Sequence, residues 1–590
     1  MPTTIQESIL SLETTPDSPF ADSNPAMVSA NLPDLSESTI REYSVLKLEN
    51  EFVLVSVCPE LGGRIVELVD KRTETKILAL PTALPVLPGI GAIEWPFGME
   101  WIFGTGRRLD RLASVQCMLI NAPSEDEPGG LLLGALTEDT DWAIRIMLPP
   151  DQATILVEQR VHNRGLYATR GDCGMQIHGS KAGSTSALPT GLIVPLGARD
   201  SGVTVCWQSG EIEHIESTES SVSLVTQQAQ LLGPRAVQTT NLVIQPFSGI
   251  GQPNFAAKGI VGCIAHKRLK LQVSTEAKAY KTILVTEGQT FESVADLSPE
   301  TISDSDLSAL PPVKAIVIKS SEGSEVVRWP SNTQDQRLYR NEWVGQTIAL
   351  QLSQEIQKTR RNSEEGWRRL RRIPGAEAAS YWLEAIQAIS NADWHAADVA
   401  LEQGIGFAAE DQLFWWLRAA IQRESGVELE ESQERLNAHF LAPLEPALRA
   451  EAFLSMPQGQ SSEPNPIVKP LIEFASHGCA VLCLYADVGL LQSMYRIGDE
   501  LLRHKDIPLV RYILAATLLE HSKMETTAGE HVVAAAKLGF REPLPRRQLE
   551  RQSVALLSAR FPQDETLRQF AEWADQNPPE EPALAKFTQA

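Results

Sequence analysis

The sequence predicts a chain in two parts, an antiparallel β-sandwich followed by an α-solenoid-like helical domain. Between about residues 38 and 310, short β-branched runs recur at close intervals, separated by turn residues. From about residue 356 onward the apolar residues repeat at helical spacing instead. Residues 311–355 lie between the two patterns and carry a hairpin signature.

Residues 1–37 are rich in Ser, Thr, Pro and Asp and hold only isolated apolar residues, so they read as a flexible tail. Within it, Ile5 and the Ile9-Leu10 pair would at most dock as a short helix. In 38–310 the strand runs are Phe52–Val57, Ile65–Val69, Trp142–Leu148, Ala153–Val161, Leu192–Leu196 and Val203–Trp207, with later ones at Gly259–Ile264, Lys270–Val273 and Thr282–Val285. Turn clusters at Pro59–Gly63, Asp126–Gly130 and Pro149–Asp151 separate them. Many strands without a long intervening helix imply a large antiparallel sandwich with a face able to hold a ligand.

In 311–355, Lys314–Lys319 and Glu325–Trp329 flank Ser320–Ser324, which predicts a hairpin in a small β unit packed between the main domains. Residues 356–590 form the helical part. Leu413, Phe414, Leu417, Ala420 and Ile421 make one apolar stripe, and Trp382, Ile386 and Ile389 another. Asp506, Ile507 and Pro508 read as a helix start, with an acidic cap and Pro in the first turn. The Ala-rich segments Ser380–Ile389 and Trp394–Gly404 resemble a tetratricopeptide-type helix pair. The break at Pro457–Pro466 interrupts any array, so a compact bundle competes with the solenoid. This half either binds a protein or closes over the sandwich.

The 590 residues exceed one core, and 43% apolar with 22% charged content is ordinary for globular domains. A net charge of −23 repels phosphate backbones and anionic lipid, and it suits a neutral ligand. The basic run from Lys358 to Arg372 reads as a solvated helix face or a domain-junction clamp. Cysteines 58, 117, 173, 206, 263, 479 and 483 show no zinc spacing; Cys479 and Cys483 share a helix face as buried apolar residues. Scattered cysteines, no signal sequence and no long apolar span point to the cytoplasm. No Walker loop, GxGxxG or His-Glu-x-x-His is present, so neither cofactor nor metal is expected. Asp70, Asp110, Asp141 and Asp172 offer carboxylates for glycoside cleavage, but spacing alone cannot pair them.

Two segments carry a family likeness. Leu61-Gly62-Gly63-Arg64 places a double-glycine turn between strands, and Gly91 leads into Glu94-Trp95-Pro96-Phe97-Gly98. Together they resemble the galactose mutarotase-like sandwiches of the aldose 1-epimerase superfamily, in the type that carries tetratricopeptide-like repeats behind the sandwich. The resemblance implies a sugar site. In that family a histidine protonates the ring oxygen and a glutamate removes the anomeric proton. His178, in Gly174–Ser180, is the acid by this resemblance, and Gln176 shares its face. Arg64, Glu94, Trp95, Trp101 and Arg107 are candidate ring contacts, with Glu100 and Arg108 beside them, and His266 a candidate lining residue. His162 reads as a surface or turn histidine. The base falls on Glu287 if the late strand is shifted, or on the inert Leu284 if Gly288 is matched. That mismatch places carbohydrate recognition ahead of epimerase catalysis, with pure scaffolding by the helices as a third reading. The partners expected are a carbohydrate and, through the helices, a protein.

Overall fold

The computed structural model describes residues 2–14, 39–80, 97–104, 115–122, 124, 126–136, 140–166, 169–170, 172–179, 185–188, 191–197, 200–207, 212–217, 221–226, 231–330, 365–373, 375–426, 432–456, 464–522 and 524–576. The chain opens with β1 (Thr4–Thr14), β2 (Thr39–Glu49), β3 (Val53–Cys58), β4 (Arg64–Asp70), β5 (Thr75–Leu78) and β6 (Gly98–Gly104). A meander follows: β7 (Gln116–Ile120), β8 (Gly129–Leu136), β9 (Thr140–Leu148) and β10 (Ile155–Asn163). Then come β11 (Thr169–Arg170), β12 (Asp172–His178), β13 (Ser186–Leu188), β14 (Gly191–Pro195) and β15 (Ser201–Trp207). The series ends with β16 (Ile212–Ser217), β17 (Ser221–Thr226), β18 (Leu231–Leu232) and β19 (Val237–Ser248).

Among the described residues these strands make two large antiparallel sheets and the separate β11-β18 pair. The first runs β1-β2-β3-β4-β6-β12-β17-β16, with β5 beside β4; the second runs β13-β14-β15-β19-β10-β9-β8-β7. Alternation explains how they stack. Val53, Val55, Val57, Met99, Trp101, Met175 and Ile177 of the first sheet meet Leu131, Leu133, Ile144, Ile146, Ile155 and Val157 of the second in one buried core. The side chains between them point outward, and the two outer faces do different things.

Thr4–Thr14 belongs to the sheet: β1 pairs with β2 from Thr4↔Glu49 to Thr14↔Thr39. The first residues are therefore an edge strand, not a free tail or a short helix. Leu10 and Leu12 alternate onto Tyr43, Val45 and Val66 on the outer face of the sheet, which is apolar burial that the scattered composition concealed.

The remaining strands are β20 (Phe255–Ala257), β21 (Ile260–Ala265), β22 (Arg268–Val273), β23 (Ala277–Thr286), β24 (Thr290–Leu297), β25 (Ser303–Asp306), β26 (Val313–Lys319) and β27 (Glu325–Trp329). They form two four-stranded sheets, β20-β21-β22-β25 and β24-β23-β26-β27. Phe255, Leu271, Leu284, Leu297, Ile316 and Ile318 give this unit a core of its own. The hairpin expected around Ser320–Ser324 is present, but it completes the sheet begun by β23 and β24. The small unit thus gathers residues on both sides of 310, with β26 paired between β23 and β27.

The helices are α1 (Glu365–Leu370), α2 (Glu377–Ser390), α3 (Trp394–Phe407), α4 (Gln412–Glu424), α5 (Gln433–Leu441), α6 (Pro446–Leu454) and α7 (Lys469–Glu473). After these come α8 (Ala475–Asp487), α9 (Leu491–His504), α10 (Pro508–Thr517), α11 (Glu525–Leu538), α12 (Gln548–Arg560) and α13 (Glu565–Gln576). Leu413, Phe414, Leu417, Ala420, Ile421, Trp382 and Ile389 all enter one helical core, Ile386 packing against it. Gly404 of α3 lets the Phe414 ring approach to where its Cβ would stand, 2.2 Å away. At the start of α10 the cap is Ile507, while Asp506 binds Arg511 at 2.5 and 2.9 Å instead of capping. No described helix is long and apolar enough to cross a membrane.

The helices dock on the outer face of the second sheet. Gln116 of β7 meets His477 of α8 at 2.7 Å, Arg164 meets Glu445 at 2.7 Å, and Arg235 donates to Asp411 at 2.9 Å. Leu166, just past β10, is buried within the helical core. The outer face of the first sheet lies on the opposite side of the sandwich.

Candidate functional site

The site is built where β4, β6 and β12 run side by side. β6 and β12 are antiparallel with Gln176 opposite Glu100 and His178 opposite Gly98. Met99, Trp101, Phe103, Cys173, Met175 and Ile177 fill the sandwich core, so Glu100, Gln176 and His178 must face outward together. β4 delivers Arg64 to the same face directly after the double glycine. Gly62 and Gly63 adopt φ of 74° and 73°, a conformation that residues with a Cβ rarely take, and both amides return to the Pro59 carbonyl. Gly98 is required for a second reason. A Cβ there would stand 2.3 Å from the Ile65 carbonyl oxygen, so only glycine lets β6 approach β4.

Arg64 donates to the Phe97 carbonyl at 2.5 Å and forms an ion pair with Glu100. The other carboxylate oxygen of Glu100 lies 3.0 Å from His178 Nε2. The Arg64 guanidinium also rests 4.9 Å from the Phe97 ring centroid. Arg64, Glu100, Gln176 and His178 are only 1, 6, 5 and 2% exposed, so their charges interact in a poorly screened setting. Next to them on this face, Ser56 donates to Glu67 at 2.8 Å. Tyr43, Val45, Cys58, Leu61 and Val66, with Phe97 against them, add an apolar flank. A guanidinium, an imidazole, two carboxylates and a carboxamide beside aromatic surface can match a polyhydroxylated ring.

The expected residues divide accordingly. Arg64, Gln176 and His178 come together on the outer face of the first sheet. Trp101 does not join them: it is buried between the sheets, and its indole donates to the Gly63 carbonyl at 2.7 Å, bracing the turn behind Arg64. Glu94, Trp95, Arg107, Arg108 and Asp110 lie outside the described residues. Glu287 is placed elsewhere, at the exposed β23–β24 turn of the small unit, paired with Lys314 at 3.0 Å. It is not a partner for His178, because its strand belongs to a different sheet. His266 is likewise exposed, in the β21–β22 turn with φ 51°. Glu100 is the residue that sequence reasoning undervalued. The parity of Glu100 with Gly98, against that of Trp101 with Met99, was the available signal.

Other candidates are committed to structure. Asp70 is held by Arg72 at 2.7 and 2.8 Å and by Ser248 at 2.7 Å, while Asp141 contacts His162 at 3.1 Å. His162 is fully buried, not a surface histidine. Burial raises the Cys58 thiol pKa to about 12 and leaves Cys479 and Cys483 raised as well, so these thiols are unreactive. Among the described residues, no three His, Cys, Asp or Glu side chains are grouped to hold a metal ion.

A family model for a domain of unknown function, DUF5107, matches residues 31–165, a stretch that holds Arg64 and Glu100 but ends before β12. No curated protein matches the chain. Among solved structures, a TPR-domain containing protein from Parabacteroides distasonis superposes with a TM-score of 0.35 at 10% identity, covering 95% of this chain and 96% of its own. Slr1438 protein from Synechocystis sp. PCC 6803 gives 0.26 at 12% identity over 38% of this chain and all, 100%, of its own. A 4-alpha-glucanotransferase from Thermococcus litoralis gives 0.23 at 13% identity, over 35% of this chain and 40% of the enzyme. These superpositions are too loose to carry a functional argument.

Proposed function

We propose that the outer face of the first sheet, around Arg64, Glu100, Gln176 and His178, binds a neutral carbohydrate, an aldose or a glycan end. The observation that carries this reading is a buried ionic cluster on a face that the sandwich core does not use. The core between the sheets is apolar, and a salt bridge is a poor way to stabilise a fold because desolvation offsets its attraction. A sugar ring that reaches these side chains, at most 6% exposed, would find Glu100 as acceptor and Gln176 and His178 beside it as donors. The net charge of −23 favours an uncharged sugar over an anionic one.

The alternative is an active mutarotase-like epimerase. It requires a proton acceptor on the far side of the ring from His178, and Glu100 already shares a hydrogen-bond distance with that imidazole. Glu67 favours this second reading: it is a carboxylate on the same face, two strands from His178, or about 10 Å at ordinary strand spacing. The helical half is assigned a protein partner in either case.

Titration calorimetry with a panel of aldoses and short oligosaccharides tests recognition, using His178→Ala and Gln176→Ala as controls. Binding that weakens at least tenfold in both variants is expected. Equal heats in wild type and variants overturn the site, and no heat with any sugar leaves the helices as the functional part. Anomer exchange followed by NMR, lost in Glu67→Gln while binding persists, would establish the epimerase instead.

A further inference from the structure

We propose that His162, gripped between Asp141 of the sandwich and Asp411 of the helical domain, is a protonation-dependent latch holding the two domains together. It sits on the outward side of β10, and both ring nitrogens face carboxylates. Nδ1 is 3.1 Å from Asp141 on β9, and Nε2 is 3.2 Å from Asp411, which caps α4 by accepting from the Leu413 amide. Only the imidazolium donates from both nitrogens. The neutral ring has one N–H for two carboxylates; its Nδ1 lone pair could accept from the Gln412 amide, but the attraction of a cation to both carboxylates is gone. The Nε2–Asp411 approach is a close ion-pair contact without a hydrogen bond, so it acts through the imidazolium charge.

The neighbours keep the carboxylates ionised and in place. From the helical side, the Gln412 amide donates to Asp141 at 2.6 Å and lies 3.0 Å from Nδ1. From the sandwich, Arg235 pairs with Asp411 while stacking 4.0 Å from the Trp382 ring centroid. Arg164 stands 3.7 Å from Asp141 and binds Glu445 at the start of α6. Arg160 reaches the carbonyls of Leu441 and Glu410 and the Gln412 side chain. His162, Arg235 and Asp411 are almost wholly buried, so separating the domains exchanges this network for water.

The direction of the response follows. Burial opposes the charged imidazole, but Asp411 and Asp141 outweigh it and raise the His162 pKa. The docked state therefore holds the proton more tightly than the undocked state. Its advantage is complete below the ordinary histidine pKa of about 6.5 and is lost as pH rises through the raised value, by at most about tenfold in the docking equilibrium per pH unit. Acid does not mimic this loss. Burial disfavours the Asp141 charge, yet His162 and Arg164 prevail and lower its pKa to about 2, and that of Asp411 is lowered too.

Hydrogen exchange of amides in 409–417 and 441–447 of the full chain, corrected for intrinsic rates, reads the docking equilibrium. Between pH 6.5 and 9 the wild type should open progressively, while His162→Gln should show a flat profile. A flat wild-type profile, or the same slope in both proteins, overturns the latch. If His162→Gln does not fold, the imidazole titration of the wild type, followed by histidine-selective NMR, decides. A midpoint above 6.5 that falls in Asp411→Asn supports the latch, and a midpoint at or below 6.5 rejects it.

Discussion

Replacing Glu100 by alanine tests the site at its foundation. Arg64 is 1% exposed and Glu100 6%, so the substitution leaves a buried guanidinium without its carboxylate. It also removes the acceptor that stands 3.0 Å from His178. Breaking a buried ion pair by deleting one partner costs about 3–5 kcal/mol, because the remaining charge stays desolvated. With a urea slope of about 3 kcal/mol per M, that corresponds to a midpoint drop of about 1 M or more for the sandwich transition. Glu100→Gln keeps an acceptor of the same shape and should lose about half as much. Removing both charges in Arg64→Met/Glu100→Leu should recover most of the loss, since an apolar pair carries no desolvation penalty. Urea unfolding followed by circular dichroism at β wavelengths, with Arg64→Met and Glu100→Leu measured singly beside the wild type and the double variant, closes the double-mutant cycle. A Glu100→Ala loss under about 1 kcal/mol, or additive losses in the double variant, would refute a tightly coupled buried pair.

Other outcomes follow from single contacts. Gly98→Ala forces a Cβ to within 2.3 Å of the Ile65 carbonyl at φ 70°, and should lower stability by several kcal/mol, read as a depressed melting temperature. Glu287→Ala and His266→Ala should leave both stability within about 0.5 kcal/mol and sugar binding unchanged, because both side chains stand in solvent on the small unit. Burial and the nearby Arg547 lower the His477 pKa to about 3, so the unfolded chain binds the extra proton first. Its contribution is present above about pH 6.5 and lost as pH falls toward 3, and His477→Gln should flatten the acid limb of a stability–pH curve. Cys479 and Cys483 should resist alkylation at pH 8 until the chain is unfolded, which mass spectrometry of the labelled protein detects.

Periodicity made the architecture legible. Alternation located β3, β4, β9 and β10, and helical spacing located the stripe from Leu413 to Ile421. What it did not show was pairing. The strand Thr4–Thr14 lacks a dense apolar run, and only its partner β2 makes its alternation meaningful. The hairpin at Ser320–Ser324 is written locally, yet its membership in a sheet with β23 is set by contacts made far along the chain. The site was half legible for the same reason. Gln176 and His178 declare a shared face by their spacing of two, but Glu100 and Arg64 join them only through inter-strand register. Trp101 misled because a tryptophan beside glycines serves equally well as ligand platform or turn brace, and only strand parity separates the two. His162 reads locally as a surface or turn histidine because the groups that bury it lie about 250 residues later, at Asp411 and Gln412.

The helices occupy the back of the sandwich, and the ionic cluster lies on its front. Among the described residues, no helix therefore covers the cluster. Two packed sheets set a separation of at least about 10 Å, so a saccharide at the front and a protein at the back would never compete for space. On the proposed reading, the molecule would be a bridge with one ligand on each side.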